Sequence, residues 1–193
     1  TVYKDRVSGT EPGWGDVLAE SSGRGPIPQF DLLKPDLVAP GQSILAANAA
    51  PNAIGLMSRS TMAAAQTAGA AALMKSLYPS WSPTAIQSAL VMTAKNVITK
   101  DTEGNPANTP FDYGNGRLDL TKAALAGLVM EESYDRFLHA NPSIGGDPRT
   151  LNIPSYQNRT CLGSCSFTRT FRNVTKQATT YTISFEKSST MQV

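Results

Sequence analysis

Residues 58–73 read Ser-Arg-Ser-Thr-Met-Ala-Ala-Ala-Gln-Thr-Ala-Gly-Ala-Ala-Ala-Leu, and this stretch decides the fold. Alanine and methionine have high helix propensity, and no charged residue follows Arg59 until Lys75. We therefore predict a helix over residues 61–77. A helix that is apolar on every side must be buried on every side, so this one is expected to run through the middle of a domain.

The segments that flank this helix also have recognisable patterns. Residues 37–39 form a short apolar run that Pro40 and Gly41 end, which predicts a buried strand, and residues 44–47 predict the next strand. After the helix, Ser82-Pro83 is a typical helix start, because serine is a common N-cap and proline suits the first helical position. An apolar stripe then predicts a helix to about residue 95.

The second half of the chain changes character twice. Residues 99–118 have loop composition, an amphipathic segment covers 119–129, and a further helix is predicted over 131–138. Residues 141–150 have linker composition. Beyond them, alternating polar and apolar residues predict half-buried antiparallel strands over 165–171 and 179–185.

This change of composition near residue 148 predicts two domains. Residues 1–147 would form the first, and residues 148–193 would form a β domain. A β-sandwich usually needs about 100 residues, so the second domain is expected to be incomplete.

The bulk composition excludes several functional classes. The 193 residues carry a net charge of +2 and only 17% charged residues, so neither nucleic acid nor another polyanion is expected as a partner. No apolar run reaches the ~18 residues of a membrane span. The first residues do not resemble a signal peptide, which fits a mature or internal piece of a longer product as well as a cytoplasmic protein.

The two cysteines, Cys161 and Cys165, are four positions apart around a Gly-Ser turn. Without nearby histidine this spacing is a poor zinc site, and we predict neither a metal nor a cofactor. A disulfide is favoured over two free thiols and would indicate an oxidising compartment. Two triplets, Asn158-Arg-Thr160 and Asn173-Val-Thr175, fit the pattern for N-linked glycosylation.

Several motifs occur in an order that resembles one protein family. Around the alanine-rich stretch stand Ser-Gly-Arg-Gly-Pro at 22–26, Lys-Pro-Asp-Leu-Val-Ala-Pro-Gly at 34–41, a helical block at 78–94, Pro-Phe-Asp-Tyr-Gly-Asn-Gly at 110–116 and Thr-Arg-Thr-Phe-Arg-Asn-Val at 168–174. Together they resemble the C-terminal half of the subtilisin-like serine proteases (subtilases), most closely the secreted type with a β-sandwich behind the catalytic domain. The resemblance implies an α/β fold, namely the C-terminal portion of a parallel-sheet domain with a buried central helix, followed by a truncated, fibronectin-III-like antiparallel β-sandwich.

The resemblance also implies where the chemistry would lie. The family's nucleophile block runs Ser-Gly-Thr-Ser-Met-Ala-(small)-Pro-His-Val-Ala-Gly, which places Thr61 at the position of the reactive serine. Thr61 keeps a hydroxyl group but adds a methyl group on Cβ, which restricts χ1 and crowds an attack. Arg59 replaces the family's glycine, and Ala65 and Gln66 replace its proline and histidine.

The other members of a Ser-His-Asp triad precede this block in the family, as does the asparagine of its oxyanion hole. The only histidine of the chain, His139, follows Thr61 at the end of a predicted surface helix. Asp36 and Asp112 are expected to cap turns. We therefore predict that the chain is inactive alone and needs an N-terminal segment that carries the aspartate, the histidine and the oxyanion asparagine.

Three interpretations follow. In the first, the chain is part of a secreted serine endopeptidase that hydrolyses peptide bonds in protein or peptide substrates through an acyl-enzyme. In the second, it is a catalytically degenerate relative or a truncated product, retained for binding or structure, as the four replacements at 59, 61, 65 and 66 suggest. In the third, the trailing β segment is a binding module, which nothing beyond the predicted strands supports.

Overall fold

The alanine-rich stretch folds as the longest helix of the chain. The computed structural model describes residues 2–4, 7–9, 15–49, 53–98, 100–107 and 109–185. Helix α1 spans Ser60–Leu77, which confirms the predicted helix and moves its start by one residue. After its last turn, Lys75 Nζ donates to the carbonyl oxygens of Pro79 and Trp81 at 2.7 and 2.9 Å, which satisfies acceptors that follow the helix.

Helix α2, Pro83–Met92, begins where the Ser82-Pro83 pattern predicts. Ser82 Oγ accepts a hydrogen bond from the amide of Ala85 at 3.1 Å, as an N-cap does. The helix ends three residues before the predicted end, since Thr93 closes it by donating its amide to Ala89.

The main core is formed by α1, α2 and the segment that follows α2, which includes Ala123 and Val129. Met74 of α1, Ala85 and Ala89 of α2, and Val129 further along the chain are all fully buried. Tyr78 and Trp81 stack beside them, with ring centroids 4.1 Å apart. This cluster anchors the C-terminal half of α1 and leaves its N-terminal half outside the core.

Short strands form four two-stranded sheets in the described part of the chain. Strand pairs β1–β2, β4–β5 and β7–β8 are antiparallel, and β3–β6 is parallel. The strands are β1 Val2–Lys4, β2 Val7–Gly9, β3 Val17–Leu18, β4 Ile44–Ala47, β5 Ile54–Met57, β6 Lys100–Asp101, β7 Leu128–Val129 and β8 Arg172–Asn173. The remaining helices are α3 Pro110–Tyr113, α4 Leu120–Ala123 and α5 Tyr134–His139, with 3₁₀ turns at Pro142–Ile144 and Pro148–Thr150. The chain is thus a mixed helix and sheet structure with a parallel strand pair, as the α/β prediction requires in outline.

The strand predicted at residues 37–39 is reduced to one parallel bridge. Val38 pairs with Arg117, donating its amide to Gly116 and accepting from the amide of Leu118. Arg117 itself also bridges Lys95 in the antiparallel sense, and the chain reaches the N-cap of α4 two residues later, at Asp119, so the parallel pairing does not extend. The strand predicted at 44–47 is confirmed as β4.

The prediction that α1 is buried on every side is wrong. Only Ala70 and Met74 are buried, while Leu73 and Leu77 are 56% and 59% exposed. The described residues supply a single packing layer, because α2 and the segment after it cover one face of α1. Helix propensity is a local property of the sequence, whereas burial depends on what lies across the interface.

The strands predicted at 165–171 and 179–185 are not formed among the described residues. Within residues 148–185, the described part of the trailing segment, the one strand pairing is that of β8 with β7 through Leu128↔Asn173 and Val129↔Arg172. An alternating sequence specifies two faces, but a ladder also needs a neighbouring strand, and here β7 offers only two residues. Residues 186–193 of the predicted β domain lie outside the described part.

The trailing segment is held to the rest of the chain by several polar contacts. Arg172 Nε donates to Glu131 at 2.6 Å, and Arg159 Nε donates to Asp31 at 2.8 Å. Cys161 and Cys165 are joined by a disulfide, as the sequence favoured. No helix in the described residues is both long and apolar enough to cross a membrane.

Candidate functional site

Thr61 is the second residue of α1 and is exposed at the start of the helix. Ser58, Arg59 and Ser60 beside it are exposed as well. At this helix start the Met62 amide donates to the carbonyl oxygen of Arg59 at 3.0 Å, while the amides of Ser60 and Thr61 lie at the positive end of the helix dipole. A hydroxyl group at this position therefore lies beside donors that stabilise negative charge.

The loop at residues 40–43 fixes the start of α1. The amide of Arg59 donates to the carbonyl oxygen of Gly41 at 2.9 Å, and Ser58 Oγ accepts from the amide of Ser43 at 2.8 Å. A Cβ atom on Gly41 would lie 2.9 Å from the carbonyl oxygen of Arg59 and 3.2 Å from Cβ of Ala63. Glycine is required here because two backbones approach more closely than a side chain allows.

The surroundings of Thr61 are open and carry positive charge. Arg59 forms no ion pair with any residue that the structure describes, and the first turn of α1 contains no acidic residue. Across the described ranges, no side chain forms a hydrogen bond with the Thr61 hydroxyl group. Among the described residues, the arrangement provides an exposed hydroxyl group beside amides of the first helical turn, and no general base lies next to them.

Comparison with known proteins identifies the family of this arrangement. The model of Peptidase S8, the subtilase family, matches residues 14–116, more than half of the chain, and includes the Gly41 loop and all of α1. The chain belongs to the subtilase family. The match ends at residue 116, before the trailing residues 148–193 begin.

Curated relatives give the same result. The subtilisin-like protease SBT1.6 of Arabidopsis thaliana is 35% identical over an alignment 170 positions long, which covers 78% of this chain and 22% of that protein. The subtilisin-like protease SBT3 of Solanum lycopersicum is 33% identical over an alignment 238 positions long, which covers 100% of this chain and 31% of that protein. This subtilase chain therefore spans less than a third of the length of these relatives.

His139 is not brought to Thr61 in the described part of this subtilase chain. It is the last residue of α5, it is exposed, and its Nδ1 atom lies 2.6 Å from the carbonyl oxygen of Asp135. This contact within its own helix fits the prediction of a helix-terminal histidine and offers nothing to a nucleophile on α1.

Of the two motif aspartates, Asp112 caps a turn as predicted, whereas the Asp36 side chain pairs with a lysine instead. Asp112 Oδ2 accepts from the amide and the hydroxyl group of Thr109 at 3.1 and 2.7 Å, which caps α3. Asp36 forms an ion pair with Lys34 at 2.6 Å. Neither carboxylate contacts Thr61.

One arginine forms ion pairs with two carboxylates that are distant in sequence, and the sequence did not predict these contacts. Arg24 reaches Asp101 at 3.2 Å and Asp112 at 3.4 Å. Burial opposes the charge of Asp101, but hydrogen bonds from Asn105, Arg24 and the Glu103 amide outweigh it and lower the pKa of Asp101 below its usual value. Residues so far apart in sequence give no local signal of this contact.

A metal centre has no support in the residues that the structure describes. They contain no group of three or more histidine, cysteine, aspartate or glutamate side chains that could hold an ion. Arg24 pairs with the buried Asp101 and with Asp112.

Proposed function

We propose that this chain is the nucleophile-bearing part of a secreted subtilisin-like serine endopeptidase, with Thr61 at the nucleophile position. The observation that carries the proposal is the exposed hydroxyl group of Thr61 at the start of an 18-residue helix, within a region that matches the subtilase family. The curated relatives are named proteases, and the substrate class follows from that likeness.

In this proposal, Thr61 Oγ1 attacks the carbonyl carbon of a peptide bond and forms an acyl-enzyme, which water then hydrolyses. A histidine held by an aspartate removes the hydroxyl proton and later returns a proton to the leaving amine. The first-turn amides of α1 stabilise the oxyanion together with an asparagine side chain. The histidine, the aspartate and this asparagine come from a segment N-terminal to the chain, so residues 1–193 alone do not hydrolyse peptide bonds.

The exposed apolar surface supports a partner segment of this kind. Leu73 and Leu77 of α1 are more than half exposed, and so are Leu45, Ile54 and Leu56 of the β4–β5 hairpin. Monomeric proteins rarely leave so many large apolar residues open along two neighbouring elements. The N-terminal part of a subtilase catalytic domain would cover this surface and would bring its triad residues to Thr61.

The trailing residues 148–193 are proposed to be the start of a fibronectin-III-like domain. Their alternating sequence supports this, and the disulfide between Cys161 and Cys165 supports a secreted location, because disulfides persist in oxidising compartments.

A second candidate is a degenerate relative without catalysis. The methyl group of Thr61 crowds the attack, and the exposed Arg59 puts a long cation where the family has glycine. Displacement of a reacting atom by ~1 Å costs ~100-fold in rate, so that such a site is slow even when it is complete. In this case the fold serves binding or assembly.

A fluorophosphonate label on the longest gene product that contains these residues separates the two candidates. Modification of Thr61, identified by peptide mapping, supports the peptidase, and Thr61→Ala removes the label. Absence of the label on Thr61 and on a Thr61→Ser variant of the same product supports the degenerate relative.

A further inference from the structure

Two Asn-x-Thr triplets have no part in the proposed chemistry, and the structure places them in different surroundings. They are Asn158-Arg159-Thr160, just before the disulfide, and Asn173-Val174-Thr175, which begins in β8. A glycan needs an acceptor amide that faces solvent in the folded protein.

Asn173 meets this requirement because of strand alternation. Successive side chains of an extended segment point to opposite faces. Val174 packs against the main core and donates its amide to Gly127 at 3.0 Å, so Asn173 and Thr175 face outward, and both are exposed. Because Val174 packs inward, the acceptor side chain of Asn173 faces solvent.

The hydrogen bonds around Asn173 leave room for a sugar on its amide. Asn173 Oδ1 accepts from the amide and the hydroxyl group of Thr175 at 2.9 and 2.7 Å. Asn173 Nδ2 donates to the carbonyl oxygen of Gln177 at 3.0 Å. An amide nitrogen has two hydrogens, so one can be replaced by a sugar while the other keeps this bond.

Asn158 has less accessible surroundings. It is half-buried, and its Oδ1 accepts from the guanidinium group of Arg149 at 3.2 Å and from the Thr160 amide at 3.0 Å. Its Nδ2 atom lies 3.5 Å from Cys165 Sγ, beside the disulfide to Cys161. Asn158 is therefore less accessible than Asn173, and a sugar on its Nδ2 atom would lie against the Cys161–Cys165 disulfide.

We propose that Asn173 carries an N-linked glycan and that Asn158 does not. The inference rests on the secreted location given under the proposed function. The donor is a lipid-pyrophosphate-linked oligosaccharide of the secretory pathway. A bond forms between Nδ2 and the anomeric carbon of the sugar, the bond from that carbon to the pyrophosphate oxygen breaks, one Nδ2 proton is released, and the lipid pyrophosphate leaves with the electron pair.

The test uses the full chain behind a cleavable signal sequence in insect or plant cells. An amide-releasing glycosidase in heavy-oxygen water converts each glycosylated asparagine into a labelled aspartate, which peptide mapping locates. We expect the label at position 173 alone. Thr175→Ala should abolish the mass change on glycosidase treatment, and Thr160→Ala should leave it unchanged.

A matched control variant shows that the enzyme that transfers the oligosaccharide has had access to the chain. Residues 141–143 read Asn-Pro-Ser, and the proline blocks modification, so Pro142→Ala creates a new acceptor at the exposed Asn141. An unmodified Asn173 in chains recovered from the medium, or in chains labelled at position 141, would overturn the proposal. A label at position 158 in the parent chain would overturn it as well. Because the signal sequence imposes the route, these results are independent of catalysis and of the natural location.

Discussion

The backbone amide of Arg59 donates to the carbonyl oxygen of Gly41 at 2.9 Å, which joins the start of α1 to the loop before the β4–β5 hairpin. This bond holds the backbone two residues before Thr61. The position of the proposed nucleophile therefore depends on a glycine 20 positions earlier in the chain.

Gly41→Ala tests this dependence. The new Cβ atom would lie 2.9 Å from a backbone oxygen that cannot rotate away, so the loop and the helix start must separate. Overpacking of this kind costs about 1–3 kcal/mol, and we expect a corresponding decrease in the free energy of unfolding by urea. Gly69→Ala is the control, because no atom lies within 4 Å of the added Cβ and alanine favours a helix. Equal stability of both variants would contradict the role of Gly41.

Ser82→Ala should destabilise the chain by about 1 kcal/mol, which is the usual cost of losing an N-cap. The hydroxyl group accepts from the Ala85 amide and donates to Glu131 at 2.8 Å, and both bonds would be lost. Ser80→Ala, at an exposed serine two positions earlier, should be nearly neutral. The measurement is the urea midpoint, and a midpoint for Ser82→Ala equal to that of the parent would refute the cap.

Glu132 should make stability depend on pH. Burial opposes its charge, but hydrogen bonds from the Asn152 and Ser133 amides and from Arg136 prevail, and the folded pKa of Glu132 lies below its ordinary value of 4.5. A carboxyl group with a lowered folded pKa stabilises the fold fully above its unfolded pKa, and this stabilisation is lost as the pH falls through the folded pKa. We expect Glu132→Gln to lower the urea midpoint at pH 7 and to have progressively less effect below about pH 5. A difference between the two proteins that is independent of pH would rule out ionisation as the cause.

Thr61→Ser should speed fluorophosphonate labelling of the longest gene product by up to about 100-fold, because it removes the methyl group that displaces the attacking oxygen. Ser60→Ala is the matched control. A step of one helical residue turns a side chain by about 100°, so this change should leave the rate unaltered. If Ser60→Ala abolishes labelling while Thr61→Ala does not, the nucleophile has been assigned to the wrong residue.

Residues 1–193 made alone should self-associate. Leu45 and Leu56 lie opposite each other on the hairpin and are 65% and 69% exposed, on the same side of the sheet. Leu45→Ser with Leu56→Ser should lower the average mass in sedimentation, since burial of this surface drives association. Leu162→Ser, at a residue that is 93% exposed in the disulfide loop, is the control. A monomer with a sharp cooperative melt would contradict the prediction.

Local features of the fold could be predicted from sequence more reliably than contacts between distant segments. Alanine propensity located α1 to within one residue, and the Ser82-Pro83 pair located the start of α2. Both features depend on neighbouring residues. The exposure of Leu73 and the contact of Arg24 with Asp101 depend on segments far apart in the chain, and no pattern in one sequence encodes them.

In the candidate site, too, local features could be predicted from sequence and contacts between distant segments could not. The block around Thr61 predicted a hydroxyl group at a helix start, and the structure has one there. The Gly41 loop was predicted as the end of a strand, without its contact to Arg59. Alternation at 179–185 predicted strands that did not form, because it specifies side-chain direction without supplying a neighbouring strand.

The pairing of Leu128–Val129 with Arg172–Asn173 has a consequence for limited digestion. The exposed turn at Gly145 lies between these strands in the sequence, and such turns are preferred sites of nicking. After a cut there, the two polypeptides would stay together through the strand pair and the Arg159–Asp31 contact. They would elute as one species from a sizing column and would separate only in denaturant.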